Sequence, residues 1–432
     1  MKDNHHSLTD CKSVERWLIG TVLILLVRML TVDAGTASRP TPMRHQHEQR
    51  PFYVLFDNTK GETAGNADWV IDATGNDPLR VTPIVPLPPN PLVETDWDGA
   101  LSSWGVELTR SGRARANSLP AVTGRITFND VTNPQDLSKY HVFVVCEPNI
   151  EFTVAERQAI IAFVENGGGL FIIGNHLGSD RNNDGVDAPR IWNNLFLQAT
   201  QSRLDFGLRF NLVNIARENP DLLGDLNDPD VHAIVHGPFG DVRGTILRSG
   251  ADMLLEPMTN PAARGVLFRR GFSPSGRSGV VAAFSRVGRG RIFALGDSSP
   301  ADDGTGDPTD DLFNGWRDPA GTNRELILNA TVWLAGSATV SDEPTLIGIT
   351  PRAVPAGRTL TLLINARNSH FVAGQTTAWF GDDIVVNAIS VTDAETLMAN
   401  ITVPLGAPAG SRTVRIVTGN QVIEAPDSLI IP

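Results

Sequence analysis

Four short apolar runs do most to limit what this chain can fold into. They read Phe52-Tyr53-Val54-Leu55-Phe56, Tyr140-His141-Val142-Phe143-Val144-Val145-Cys146, Gly169-Leu170-Phe171-Ile172-Ile173-Gly174 and Arg291-Ile292-Phe293-Ala294-Leu295-Gly296. Each has the length of a strand and is almost continuously apolar. Such runs suit strands buried on both faces, as in a parallel sheet covered by helices. Between the second and third runs, Thr153-Val154-Ala155-Glu156 is a capping box. Ile160, Ile161, Phe163 and Val164 then supply an apolar helix face, and the glycines at 167–169 stop it. Residues 140–174 therefore read as β–α–β, a crossover that builds an open sheet with a right-handed connection. Thr322-Asn323-Arg324-Glu325 predicts a second capped helix, with Ile327, Ala330, Trp333 and Leu334 on its inner face and Gly336 at its end. Between 265 and 290 two short apolar runs, separated by Gly271, Pro274, Gly276 and Gly279, predict a hairpin added antiparallel near an edge.

The pattern changes after a polar connection at 337–343. Runs at 345–349, 359–364, 376–380, 384–389, 397–403 and 413–417 are rich in β-branched residues, with turn residues between them and no helical period. That is the pattern of a β-sandwich. The fold class expected is a doubly wound, mostly parallel α/β domain over 51–337, of flavodoxin-like type, followed by an all-β immunoglobulin-like sandwich over 344–432.

The N-terminus carries a separate signal. Lys2, Lys12 and Arg16 precede the apolar run Trp17–Leu30, and Gly35 and Ala37 supply small residues after it. This is the order of a secretory leader. The run is short for a bilayer span, and Arg28 interrupts it. Residues 1–37 are expected to be a signal peptide or an uncleaved anchor, with 38–50 as a linker, so the expected location is exported: periplasmic, secreted or at the cell surface. The membrane is engaged only through that segment. Of two cysteines, Cys11 precedes the leader's apolar run and Cys146 ends a strand, so processing would leave no pair for a disulfide. The net charge of −12 argues against a nucleic-acid partner.

In open α/β sheets ligands bind beyond the carboxyl ends of the strands. The four apolar runs deliver Asp57, Glu147, His176 and Asp297 to that edge. These four are the candidate catalytic residues, with Asn175, Ser298, Ser299 and Glu62 as neighbouring ligand-binding candidates. A strand end is polar in any case because water reaches it, so each residue alone says little, and the weight rests on the four together. His176 has the chemistry for a general base or a metal ligand. Just beyond, Asp180-Arg181-Asn182-Asn183-Asp184-Gly185-Val186-Asp187 alternates oxygen-bearing side chains and turns at a glycine. Asp180, Asn182, Asp184 and Asp187 are thus candidate ligands for Ca2+, although position twelve of a full EF-hand loop would be Ile191 rather than Glu. The other reading of this run is a series of Asx turns. His232 and His236 stand four apart but run into a Gly-Pro turn, a weak signal for zinc.

The stretch YHVFVVCEPNIEFTVAERQAIIAFVENGGGLFIIGNHLG resembles the class I glutamine amidotransferase-like superfamily, including ThuA-like proteins, and the resemblance extends over about residues 51–337. It implies a sharp elbow after the third strand-like run, at Gly174-Asn175-His176-Leu177-Gly178. Active members carry a cysteine nucleophile there, and this chain carries His176, so glutaminase activity is not implied. ITPRAVPAGRTLTLLI, WFGDD and VPLGAPAGSRTVRIVTG resemble the IPT/TIG immunoglobulin-like family, which implies a spacer or adhesion module. Two functions follow as expectations. One is a non-catalytic protein that binds a carbohydrate or a surface-associated ligand at a degenerate site. The other is a hydrolase that uses His176 and the carboxylate edge, with calcium in support.

Overall fold

The computed structural model describes residues 51–64, 67–73, 81–202, 204–306, 313–336 and 344–432. The expected leader, the linker and the 337–343 connection lie outside the described residues. Among the described residues no helix is long and apolar enough to cross a membrane.

The chain enters the α/β domain through β1 (Phe52–Asp57), α1 (Ser102–Arg110) and β2 (Ala114–Leu119). It continues through β3 (Val142–Cys146), α2 (Val154–Glu165), β4 (Gly169–Ile173) and α3 (Ala188–Gln201). Short pieces follow: β5 (Leu208–Phe210), β6 (Leu222–Leu223), α4 (Pro229–Val235), and a two-residue ladder of β7 (His236–Gly237) with β8 (Gly240–Asp241). Then come β9 (Met253–Leu255), β10 (Arg264–Phe268), β11 (Val280–Val287), β12 (Gly290–Leu295) and α5 (Asn323–Ala335). The main sheet runs β2-β1-β3-β4-β12-β11-β10-β6, with β9 on β11 and β5 on β9. Every pairing from β2 to β12 is parallel, and β11 and β10 add antiparallel beyond it, as the hairpin between 265 and 290 predicts.

The four central strands divide their side chains between two cores. Val54 and Phe56, Val142 and Val144, Phe171 and Ile173, and Phe293 and Leu295 face one core, which contains Trp104 and the inner faces of α4 and α5. Tyr53 and Leu55, Phe143 and Val145, Leu170 and Ile172, and Ile292 and Ala294 face the other, with α2 and α3. Each strand thus alternates in direction while remaining apolar on both sides, which is the doubly wound arrangement. Trp104 fixes the first core. Its ring packs edge-on against Phe56 and Phe171, and its Nε1 donates to Thr331 Oγ1 at 3.1 Å.

The capping box of α2 forms as its sequence predicts: Glu156 N–H donates to Thr153 Oγ1 at 3.2 Å, and Thr153 N–H donates to Glu156 Oε2 at 2.8 Å. The corresponding signal at α5 does not form. The Thr322 hydroxyl turns instead to the 243–244 backbone, accepting from Arg243 N–H and donating to Gly244 O, so tertiary contact overrides the local motif. The Asp-rich run also hides a helix start. Asp187 is the N-cap of α3, with Pro189 in its first turn.

The C-terminal domain is a sandwich of β13 (Thr345–Thr350), β14 (Thr359–Arg367), β15 (Thr376–Trp379), β16 (Val385–Asp393), β17 (Thr396–Thr402), β18 (Gly410–Thr418) and β19 (Gln421–Ile431). One sheet runs β13-β14-β17-β16 and the other β15-β18-β19, around an aliphatic core with Phe371 and Phe380. The sandwich packs on the α/β domain at the start of its parallel strands. Ile347 joins the core that contains Tyr53, Arg367 Nη1 donates to Lys139 O at 2.5 Å, and Arg115 lies 3.9 Å from Glu395.

The cap of α2 gives a direct test of this local account. Thr153→Ala leaves the Glu156 amide without its acceptor and is expected to cost about 1 kcal/mol of stability, read as a lower urea midpoint at unchanged slope.

Candidate functional site

The carboxyl ends of β3, β4 and β12 open into one cleft of about 320 Å³. Glu147, Asn175, His176, Asp297, Ser298 and Ser299 line it, so six of the eight residues expected at the strand ends face a common space. Asp57 and Glu62 do not line it. They are buried behind it.

Glu147 is the centre of the site. It follows β3 directly, its side chain is fully buried, and its backbone is left-handed, with φ of 46°. A non-glycine residue held there costs on the order of 1–3 kcal/mol and persists only where its surroundings impose it. Here the Asn149 amide nitrogen donates to Glu147 O at 3.1 Å and also to the Gly61 and Thr63 carbonyls, which ties the turn to the loop after β1. Ser298 Oγ donates to Glu147 Oε2 at 2.9 Å, and Arg181 Nη2 lies 3.4 Å from Oε1. Burial pushes the Glu147 carboxyl up to about 7, against the pull of Arg181 and the Ser298 hydroxyl. Near neutral pH this group is therefore divided between acid and carboxylate.

A left-handed residue thus follows β3 at Glu147, and the 174–178 segment turns at Leu177-Gly178, where Gly178 is left-handed with φ of 83° and Ser179 N–H donates to His176 O at 3.2 Å. Among the described residues Glu147 is left-handed and His176 is not. Gly174 answers a packing need instead: a Cβ there would sit 2.5 Å from the Phe210 ring. His176 is half-buried at the cleft wall, and its Nδ1 is 2.7 Å from Leu177 O. That contact requires the proton on Nδ1 in the neutral ring and leaves the Nε2 lone pair open.

Asp297 is buried and saturated. Its Oδ2 accepts from the Arg248 and Ser249 amides, and its Oδ1 from the amide and hydroxyl of Ser299 at 3.0 Å each. Burial raises its carboxyl, and these donors oppose the rise. Asp297 thereby fastens the 248–249 loop onto the end of β12. It brings in Arg248, whose Nη2 pairs with Asp318 at 2.7 Å and whose guanidinium lies over the Phe313 ring. Arg248, Phe313, Arg181, Trp69 and Asp302 complete the cleft, and the sequence reading named none of them as site residues.

Behind this wall Asp57 accepts from the Thr59 amide and hydroxyl, and Glu62 accepts from the Lys60 amide. Their carboxyls lie against each other. Burial raises both, Asp57 to about 6 and Glu62 well up, and the Asp57 charge adds to the rise at Glu62. Asp57 Oδ2 and Glu62 Oε1 are buried without a hydrogen-bond donor among the described residues. Cys146 ends β3 beneath Glu147. Burial and the neighbouring carboxyl push its thiol well up, so it stays protonated and a poor nucleophile.

In the Asp-rich loop the oxygens turn to the loop's own backbone. Asp180 accepts from the Asp184 and Gly185 amides, Asp184 from the Val186 amide, and Asn182 from the Asp184 amide. Asp187 caps α3, accepts from the Gly178 amide at 2.8 Å and pairs with Arg190. Each of these oxygens keeps a lone pair beyond the amide it accepts from. Elsewhere His236 Nδ1 pairs with Asp241 at 2.8 Å and its ring packs near that of His232. Among the described residues no group of three or more His, Cys, Asp or Glu side chains is placed to hold a metal ion.

No family model matches the chain, and no curated protein matches it. Solved structures of similar form include the mmIFT52 N-terminal domain, at 13% identity over 67% of this chain and 99% of that one, with a TM-score of 0.38. Another is the cytoplasmic protein STM3548 of Salmonella typhimurium, at 13% identity over 66% of this chain and 98% of that one, with a TM-score of 0.36. A ThuA-like protein from Parabacteroides merdae is similar at 16% identity over 67% of this chain and 92% of that one, with a TM-score of 0.33. The structural neighbours thus include a ThuA-like protein, at identities that concern the fold alone.

The Glu147 carboxyl carries a pH signature. Its folded value lies above the unfolded one of 4.5, so its contribution to stability falls as pH rises from about 4.5 to about 7 and stays low above that. Glu147→Gln removes that loss. Relative to the native chain, the variant is expected to gain on the order of 1–3 kcal/mol between pH 5 and pH 8, measured by urea unfolding at both. A stability difference independent of pH would contradict the assignment.

Proposed function

We propose that the cleft binds a small polyhydroxylated ligand, a carbohydrate, in an exported protein whose α/β domain is of amidotransferase-like, ThuA-like type without glutaminase chemistry. The supporting observation is the convergence of Glu147, Asn175, His176, Asp297, Ser298 and Ser299 on one cleft. A sugar presents hydroxyls that both donate and accept, and these groups offer both. The Asn175 amide and the Arg181 guanidinium can donate, while His176 Nε2 and the oxygens of Ser298 and Ser299, whose protons go to Glu147 and Asp297, can accept. Trp69 and Phe313 add aromatic surface for the apolar face of a ring. Glutaminase chemistry would need an accessible thiolate, whereas Cys146 is buried and protonated and position 176 is histidine. In this reading the sandwich is an IPT/TIG-like spacer.

A second reading, a hydrolase, draws on one feature: the cleft wall pairs a carboxyl that titrates near neutrality with an imidazole whose Nε2 is open. These are the acid and base that bond cleavage by water requires. Both readings meet in one experiment. Neutral mono- and disaccharides titrated into the full-length chain by calorimetry are expected to bind saturably, and Glu147→Gln to weaken binding at least about tenfold. Product formation lost in His176→Ala, with binding kept, would select the hydrolase. An absence of saturable binding by any sugar would remove both.

Calcium enters only through the Asp-rich loop. Its proposed ligands are Asp180, Asn182, Asp184 and Asp187. Calcium titrated into the same chain is expected to give a saturable heat that Asp184→Ala removes; no saturable heat would leave the loop as a series of Asx turns.

A further inference from the structure

A second concavity, of about 430 Å³, lies between the two domains, beside the end of the edge strand β2, and shares no lining residue with the cleft. The α/β domain contributes residues 81–87 and 120–123, and the sandwich contributes 349–353 with Ile430. Its walls are mostly aliphatic. Val81, Leu87 and Val122 are 48%, 47% and 76% exposed there, an unusual cost for three large apolar side chains around one hollow. The hollow is built into the domain contact. Ile84 packs with Val85 and Leu363, and Gly348 permits the approach, since a Cβ there would lie 2.8 Å from the Ile84 side chain.

One cation stands at this apolar space. Arg352 lines the groove, half-buried, with its backbone held to β19 by the Ile430 amide at 2.9 Å. Its guanidinium donates to the Asp427 carbonyl at 3.0 Å, and among the described residues it forms no ion pair. The Asp427 carboxylate is taken by the Ser411 hydroxyl, and the neighbouring cation Arg125 pairs with Asp130 at 3.3 Å. Arg352 Nε is buried without a partner. A half-buried guanidinium with no ion-pair partner, drawn to the Asp427 carboxylate only from a distance, is unfavourable, and so is aliphatic surface left to water. A ligand with an apolar body and an anionic end relieves both, and the volume suits a small ligand.

We propose that this groove binds a single-chain amphipathic carboxylate of the fatty-acid class, its chain against Ile84, Leu87, Val122 and Ile430 and its carboxylate at Arg352. The site is separate from the strand-end cleft and does not depend on what that cleft binds.

The test is calorimetric titration of the full-length chain with decanoate below its micelle concentration, beside decanol and decyltrimethylammonium as uncharged and cationic counterparts. Decanoate is expected to bind saturably, with the other two at least about tenfold weaker. Arg352→Met is expected to reduce decanoate to the level of decanol. Val122→Asp, at an exposed position that tolerates change, sets a like charge on the rim and is expected to weaken decanoate as well. The proposal fails if decanoate does not saturate, if the three probes bind alike, or if decanoate affinity is unchanged in Val122→Asp or in a folded Arg352→Met.

Discussion

Burial of the central strands on both faces governs the molecule. Because β1, β3, β4 and β12 are covered by helices on each side, their middle positions are apolar, and polar side chains such as Arg291 and Asp57 stand only near their ends. Each large side chain so covered contributes roughly 1.5–3 kcal/mol relative to exposure, and a polar replacement there would lose that and add an unmet hydrogen-bonding group. Polar chemistry is therefore pushed to where the strands stop. Asp57, Glu147, Asn175 and Asp297 are each the last residue of a strand or within two residues of its end.

That same constraint decides what the sequence discloses. Continuous apolar runs announce the four central strands, and the strand ends follow from them without knowledge of contacts. β2 reads Ala-Arg-Ala-Asn-Ser-Leu and gives no such signal, because it is an edge strand whose Arg115 lies beside the sandwich. The start of α3 was concealed by its own cap, since Asp187 belongs equally well to a run of metal-like oxygens. At Thr322 the local motif is present, but the hydroxyl had a better partner in another segment. Within the cleft, Arg248, Arg181, Asp302 and Trp69 come from loops. Their positions depend on long-range bonds, such as Asp297 to the 248–249 amides, that no local pattern encodes. The turn at Glu147 is hidden for a related reason: a left-handed glutamate has no sequence signature, while Gly178 announces its own turn.

The two domains meet at the beginnings of the parallel strands and beside β2, down to residues 120–123 after its end. Tyr53, Arg115 and Lys139, which contact the sandwich, stand at or before the beginnings of β1, β2 and β3, and the cleft lies beyond the strand ends. The sandwich therefore lines no part of the cleft.

Glu147 leaves the chain in an uncomfortable position. Its backbone is held in a conformation that glycine would adopt freely, and its carboxyl is held where ionisation is disfavoured. A glycine at this point would relieve both, and the fold would gain from the change. Stability and the side chain's chemistry thus pull against each other at a single residue. Among descendants of this chain, drift to glycine would mark the lineages in which nothing any longer uses the carboxyl.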